Sequence, residues 1–347
     1  LGIGLVERAS IVSGDVAIGE KHSKNNNFIV EYPLMQHGGC VVKQVPRDDP
    51  YARETLFMES KVYDYVGHDS LFDPLKKTIP SFLHYDHHLS ILVIEYLKDY
   101  KSLQDLQMEG KILDELVAET LGQAVANIHI SLEDRMKDES FSNKFRKIYP
   151  WVFFIPRDGI RKEGNPHHTK ASTQMEKLIM EDREFCSMIE EVKSMWRPGF
   201  FIHGDMKWSN LLINEKFDLR IIDWETSDIG DPYWDVAGIL HNYIFNAYSM
   251  NQRDPSNSMY TIQKMQSCAH RFLHSYLSHS SIKEREFIPF RLLPFIALRL
   301  IQTAVESTGY YQELPENTLK MISLSRQILM HPEEAAVELL ALNKLRT

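Results

Sequence analysis

Three short apolar runs, FIHGD, NLLIN and LRIIDW, follow one another between Phe201 and Trp224. Runs this short, broken by Gly, Asn and Asp, are expected to be brief strands joined by tight turns. They bring His203, Asp205, Lys207, Asn210 and Asp223 to strand ends, and they set an acid, a cation and an amide within six positions. A carboxylate beside a bound hydroxyl can accept its proton as the oxygen attacks an electrophile. Phosphoryl transfer asks this group for orientation more than for basicity. Asp205 is therefore the candidate base. The side-chain amide of Asn210 and the carboxylate of Asp223 are hard oxygen donors suited to magnesium. Base, amide and carboxylate on adjacent strand ends describe a magnesium-nucleotide site.

The string HGDxxxxN, the later strand ending in IDW, and GDPYWDVAGIL (230–240) together resemble the aminoglycoside phosphotransferase and choline kinase family of the protein-kinase-like fold. The likeness is strong over residues 200–240 and looser elsewhere. It implies an α+β, bilobal fold: a small β-rich N-lobe over residues 1–97 and a larger, mostly helical C-lobe over 98–347. It implies that Asp205 positions or deprotonates the acceptor hydroxyl and that Asn210 and Asp223 bind Mg2+. His203 is expected to brace the loop, and Asp235 to anchor the backbone around it.

The N-terminal part has the composition for the smaller lobe. NNNFIVEYPL and GCVVKQV read as two strands joined around His37, Gly38 and Gly39. YARETLFMESKVYDYV has helical spacing at Leu56, Glu59, Val62 and Tyr63, and IPSFLHYD and LSILVIEYL read as a further hairpin. Taken alone, Lys43 in CVVKQV is either an outward-facing strand lysine or one aimed at a ligand. Kinase-like folds pair such a lysine with a glutamate on the next helix to hold nucleotide phosphates, which points to Lys43 with Glu59, and to Glu54 if the helix is rotated. Backbone groups from Glu95 to Leu97, in the linker IEYLKDY, are expected to read the base of ATP or GTP.

Two features depart from a protein kinase or from its small-molecule relatives. VAIGEKHSKNNNFIVEY contains Gly19 but no GxGxxG, so Ser23 to Asn27, and Ser23 and Asn27 in particular, are the candidate phosphate contacts. Lys207 stands two residues after Asp205, as in protein serine/threonine kinases, where its charge can meet the transferred phosphoryl group. The first expectation is transfer to a small-molecule hydroxyl on an aminoglycoside, amino alcohol or sugar. The alternatives are transfer to Ser or Thr of a peptide, as in a peptide-modifying pathway, and a nucleotide-binding scaffold without turnover.

Past Lys98 the pattern turns helical. ILDELVAETLGQAVANIHISL carries Leu113, Leu116, Val117, Leu121, Ala124, Val125 and Ile128 on one stripe. Residues 134–183 look less regular, an insertion or a flexible helical segment, and EFCSMIEEVKSMW is a helix stopped by Pro198 and Gly199. Acceptor contacts are expected from the later helices, with Asp228, Asp231 and Glu306 as acidic candidates. Tyr149, Trp151, Phe153 and Phe154 are either core or pocket wall, as are Trp208 and Trp224. His129 reads as a hydrogen-bonded core residue. His87, His88, His167 and His168 lack partners at zinc spacing.

With 347 residues the chain exceeds what one core usually holds. A net charge of −9 argues against a general nucleic-acid binder, and the sequence has no run of about 18 uncharged apolar residues that would span a membrane. Cys40, Cys186 and Cys268 are widely spaced, and no basic-then-apolar leader is visible, so a reducing cytoplasm is expected.

Overall fold

The computed structural model describes residues 4–7, 10–11, 13–22, 26–35, 38–46, 48–111, 114–160, 169–253, 258–281 and 288–341. Up to Ser194 it contains strands β1 (Ala17–His22), β2 (Asn26–Glu31) and β3 (Gly39–Gln44), helix α1 (Pro50–His68), strands β4 (Phe82–Asp86), β5 (Ile91–Glu95) and β6 (Lys101–Ser102), and helices α2 (Glu115–Ser131), α3 (Lys170–Met180) and α4 (Arg183–Ser194). Strands β7 (Phe200–Ile202), β8 (Leu211–Ile213), β9 (Leu219–Ile221) and β10 (Asp228–Gly230) follow. Helices α5 (Pro232–Arg253), α6 (Ser258–His279), α7 (Leu293–Thr308), α8 (Glu316–Met330) and α9 (Pro332–Leu340) complete the chain. The class is α+β, with a β-rich N-terminal sheet and a helical C-terminal part. Two compact units divide it: Leu1–Ile112 with Trp208–Ser227, and Leu113–Lys207 with Asp228–Thr347.

In the first unit an antiparallel sheet runs in the order β1-β2-β3-β5-β4. Strand β5 lies between two neighbours, and its Leu92, Val93 and Ile94 are all buried, which accounts for the nearly unbroken apolar run there. Strand β1 was not legible from its residues: its one large aliphatic, Ile18, is 70% exposed on an edge strand, so no alternation betrays it. Helix α1 opens where the Asp49 side chain accepts the Ala52 N–H at 2.9 Å and Pro50 occupies the first turn, where its missing N–H costs nothing. Its buried stripe includes Leu56, Val62, Tyr63 and Val66, and its only buried charge is Glu59. The unit runs past the boundary expected at Leu97 because β6 pairs with β8, and β8 with β9, in a separate three-stranded sheet. The segment holding Asn210 and Asp223 therefore clusters with the N-terminal residues.

In the second unit α2 and α6 pack so closely at Gly122 that a Cβ there would overlap the Phe272 carbonyl. Val117, Leu121, Val125 and Ile128 of the expected stripe are buried, but Leu116, beside the Asp114 cap, is 50% exposed. Leu113 lies outside the described residues. Of the two alternatives for segment 134–183, the helical one holds over its described residues. It holds helical turns at Glu133–Met136, Glu139–Ser142, Trp151–Phe154 and Ile155–Asp158, and the full helix α3. Helix α3 begins in a capping box between Thr169 and Ser172, whose hydroxyls reach the Thr308 carbonyl (2.8 Å) and hydroxyl (2.9 Å) at the end of α7. Phe153 stacks its edges against Trp196, Trp234 and Phe295, so this part of the aromatic run is core. Among the described residues, no helix is long and apolar enough to cross a membrane.

Candidate functional site

In the first unit, β3 carries Lys43 inward, opposite Asn27 of β2 and Leu92 of β5. Directly paired residues share a sheet face, so Asn27 lies beside Lys43. Lys43 is buried, and its Nζ lies 2.7 Å from Glu59 Oε1 and 2.9 Å from Asp223 Oδ1. Burial alone would lower the Lys43 ammonium, but the Asp223 and Glu59 carboxylates outweigh it and hold the group well above its ordinary value. Burial pushes the Glu59 carboxyl up to about 7 against the pull of Lys43. Glu54 is exposed, so the helix is not rotated toward the alternative pairing. Ser23, the other candidate phosphate contact, lies outside the described residues, as do His167 and His168.

Asp223 adopts φ 70° and ψ 56°, the left-handed region that a non-glycine residue occupies at a cost of about 1–3 kcal/mol. The turn takes its side chain out of the line of β9 and leaves it one-third exposed, at 33%. Asn210 is buried, and its carbonyl accepts the Ile222 N–H at 3.0 Å, tying the two candidate ligands into adjoining backbone. Both are oxygen donors with no sulfur or imidazole beside them in the pair, which fits magnesium. Trp208 and Trp224 are fully packed, and Trp224 Nε1–H donates to the Ile221 carbonyl at 2.9 Å.

The linker is divided in its availability. Glu95 N–H donates to the Ser81 carbonyl (3.0 Å), and Ser81 N–H and hydroxyl both donate to Glu95 Oε2 (2.9 Å each). Its N–H and side chain are thus occupied in joining β5 to the start of β4. The Leu97 carbonyl accepts the Tyr100 N–H at 3.2 Å, while the Leu97 N–H has no hydrogen-bond partner among the described residues. That donor suits the edge of a purine.

In the second unit β7 stops at Ile202 and the chain turns at Gly204, φ 81°. Asp235, in the first turn of α5, accepts the His203 N–H at 2.7 Å and the Gly204 N–H at 2.9 Å. His129 Nε2 stands 3.2 Å from the same carboxylate, and its Nδ1 is 2.9 Å from Tyr276 Oη. Trp234 Nε1–H donates to the Gly204 carbonyl at 2.9 Å, and Gly238 lies so near the loop that a Cβ would overlap the Met206 carbonyl. Helix α5 therefore meets the loop at His203, Gly204 and Met206. His203 Nδ1 accepts the Asp205 N–H at 3.2 Å.

Asp205 faces two cations: Lys207 Nζ at 2.6 Å from Oδ2 and Arg299 Nη2 at 3.1 Å from Oδ1. Burial alone would raise its carboxyl; Lys207 and Arg299 overcome this and hold it well below the usual carboxylate range. Arg299, on α7, was not singled out in the sequence, although a signal exists. It is the one charge in LPFIALRLI, and an arginine in a buried helix needs a partner. Its Nη1–H donates to Gln302 Oε1 at 3.1 Å, and Gln302 Nε2–H donates to Glu306 Oε1 at 2.8 Å. A hydrogen-bonded line thus runs from Asp205 to Glu306. The other acidic candidates are engaged in structure. Asp228 accepts the backbone N–H groups of Lys147 and Ile148 at 2.7 and 2.8 Å. Asp231 pairs with Arg291 at 2.7 Å and accepts the Arg197 N–H at 2.9 Å.

A buried lysine paired with a helix glutamate, hard oxygen donors, and a carboxylate held ionised are each groups that phosphoryl transfer uses. Comparison with solved structures gives the corresponding fold. An ethanolamine kinase from Plasmodium vivax superposes with a TM-score of 0.59 at 16% identity, over 95% of this chain and 86% of that one. A choline kinase from Cryptosporidium parvum Iowa II gives 0.57 at 17% identity, over 98% and 96%. A putative fructosamine-3-kinase from Thermobifida fusca gives 0.51 at 14%, over 94% and 99%. No curated protein sequence matches significantly. The profile of the phosphotransferase enzyme family (APH) matches residues 36–270, which include Lys43, Glu59, Leu97, Asp205, Lys207, Asn210 and Asp223. The chain is a member of that family, a phosphotransferase acting on hydroxyl groups.

Proposed function

We propose that the protein transfers the γ-phosphate of magnesium-bound ATP or GTP to a hydroxyl of a small molecule. The observation that carries this reading is Lys43, buried and held between Glu59 at 2.7 Å and Asp223 at 2.9 Å, a cation set to receive phosphate oxygens. Asn210 and Asp223 would hold magnesium, which when bound neutralises charge on the transferred group. The Leu97 N–H would read the base, and Lys43 and Asn27 would face the phosphates. Asp205 orients the acceptor hydroxyl and takes its proton late, because its depressed pKa makes it a weak base. Lys207 supplies positive charge to the moving phosphoryl group. Asp205 and Lys207 immediately precede the chain's passage from one unit to the other, and Trp208 to Asn210 immediately follow it.

The structural neighbours are named as kinases of ethanolamine, choline and fructosamine, which supports an amino alcohol or sugar as first choice. The close Lys207–Asp205 pair supports a second acceptor, Ser or Thr of a peptide. Cys40, Cys186 and Cys268 are all unbridged, in keeping with a reducing cytoplasm. The test is nucleotide consumption with magnesium against small alcohols, aminoglycosides and Ser/Thr peptides, with Asp205→Asn as control, since Asp205→Ala would leave Arg299 buried without its carboxylate. Acceptor-dependent turnover lost in the variant supports the reading and names the acceptor class. Turnover at the wild-type rate in Asp205→Asn would remove Asp205 from its role.

A further inference from the structure

We propose that Arg299 positions Asp205 by holding Oδ1, which leaves Oδ2 as the oxygen that receives the acceptor hydroxyl. The inference rests on Asp205 being the acceptor-activating carboxylate. Both carboxylate oxygens face a cation, and the two cations differ in freedom. Arg299 is 2% exposed, with its guanidinium 5.1 Å over the Trp234 ring. Its Nη2 also reaches the Met206 carbonyl at 3.4 Å, and Nη1 reaches Gln302 Oε1 at 3.1 Å and the Gly204 carbonyl at 3.5 Å. Planar donors in this fork cannot turn away without breaking several bonds together. Lys207 has a 36% exposed side chain on a flexible stem, and among the described residues its ion pair is with Asp205.

Each carboxylate oxygen carries two lone pairs, and of the two cations Lys207 is the one able to give way to a hydroxyl at Oδ2. It moves toward the phosphoryl group, where negative charge accumulates. Arg299 still fixes Oδ1 and keeps the carboxylate ionised. The acceptor oxygen forms its bond to the γ-phosphorus, the bond to the β-phosphate oxygen breaks with its electron pair leaving on the nucleoside diphosphate, and the hydroxyl proton passes to Oδ2. The titratable and charged groups around Asp205 are Lys207 and His203 on the loop, Arg299 and Glu306 on α7, and His241 and Asp235 on α5. His241 is buried and held neutral, its pKa lowered to about 3, so it adds no charge near neutral pH.

The experiment compares wild type, Arg299→Gln and Arg299→Lys in pH-rate profiles and titrates the Asp205 carboxyl by carbon-13 NMR. Arg299→Gln should lower kcat at least 100-fold with the nucleotide KM unchanged, and should raise the acid limb of the profile by a pH unit or more. Arg299→Lys, which keeps charge without the fork, should leave the acid limb near wild type while kcat stays depressed. Packing damage alone would lower the rate without moving the limb. An unshifted limb and unchanged kcat in Arg299→Gln would overturn the proposal. Should that variant not fold, the wild-type titration decides: Asp205 ionised at pH 3 and below supports it, and ordinary carboxylate behaviour refutes it. A wild type that transfers to no acceptor would count against the proposed function, while the carboxyl titration would still test the Arg299 contact.

Discussion

Lys43 and Asp223 stand 180 residues apart in sequence and 2.9 Å apart in space, joined by an ion pair whose third member is Glu59. The pair links strand β3 to the candidate magnesium ligand within one compact unit. Asp223→Ala should therefore weaken magnesium-nucleotide binding tenfold or more, about 1.4 kcal/mol. Calorimetric titration with and without magnesium checks this. Equal affinity for wild type and variant would exclude Asp223 as a ligand.

Glu59 should leave a signature in pH. Burial raises its carboxyl from 4.5 to about 7, so the folded protein binds a proton there more readily than the unfolded chain. Its contribution to stability is then greatest below pH 4.5, declines as pH rises to 7, and is level above. Glu59→Gln cannot titrate. The wild-type denaturation midpoint, taken relative to this variant, should fall across that window, and a flat difference would contradict the assignment. Nucleotide affinity should also drop below pH 7 in wild type only, because the protonated acid no longer pairs with Lys43.

Asp235→Ala should cost about 2–5 kcal/mol in denaturant unfolding. The substitution leaves the buried His203 and Gly204 N–H groups without their acceptor and removes the carboxylate partner of His129. A change under about 0.5 kcal/mol, the range of an unremarkable surface substitution, would mean the loop is held by other bonds.

Gly238→Ala tests the same contact from the helix side. The added methyl would overlap the Met206 carbonyl, between Asp205 and Lys207, so the loop must shift. The expected cost is about 1–3 kcal/mol. kcat should fall while nucleotide binding is retained, and an alanine variant with native kcat would show that the loop adjusts harmlessly.

The candidate residues at 203–223 stand out in the sequence because they are local. Turn residues, short apolar runs and hard oxygen donors recur at close spacing, so residue type alone marks them. Lys43 with Glu59 was legible for a related reason, a strand lysine followed by a helix whose one inward charge falls on the apolar stripe. Strand β1 was not, since an exposed edge strand has no alternation, whereas helix α3 does carry a signal, Ala171, Met175 and Ile179 recurring every fourth residue on its buried face.

By itself, the sequence determined the α+β class, the order of strands and helices around the loop, and the residue types able to transfer a phosphoryl group. Only the tertiary structure decided which charges face each other. It joined Asp205 to Arg299, 94 residues on, turned Asp228 and Asp231 to backbone capping and an ion pair, and clustered Asn210 and Asp223 with the N-terminal sheet. The physical reason is that a buried charge takes the partner that folding brings within about 3 Å, and no rule of sequence spacing encodes a contact made by elements packing across the core.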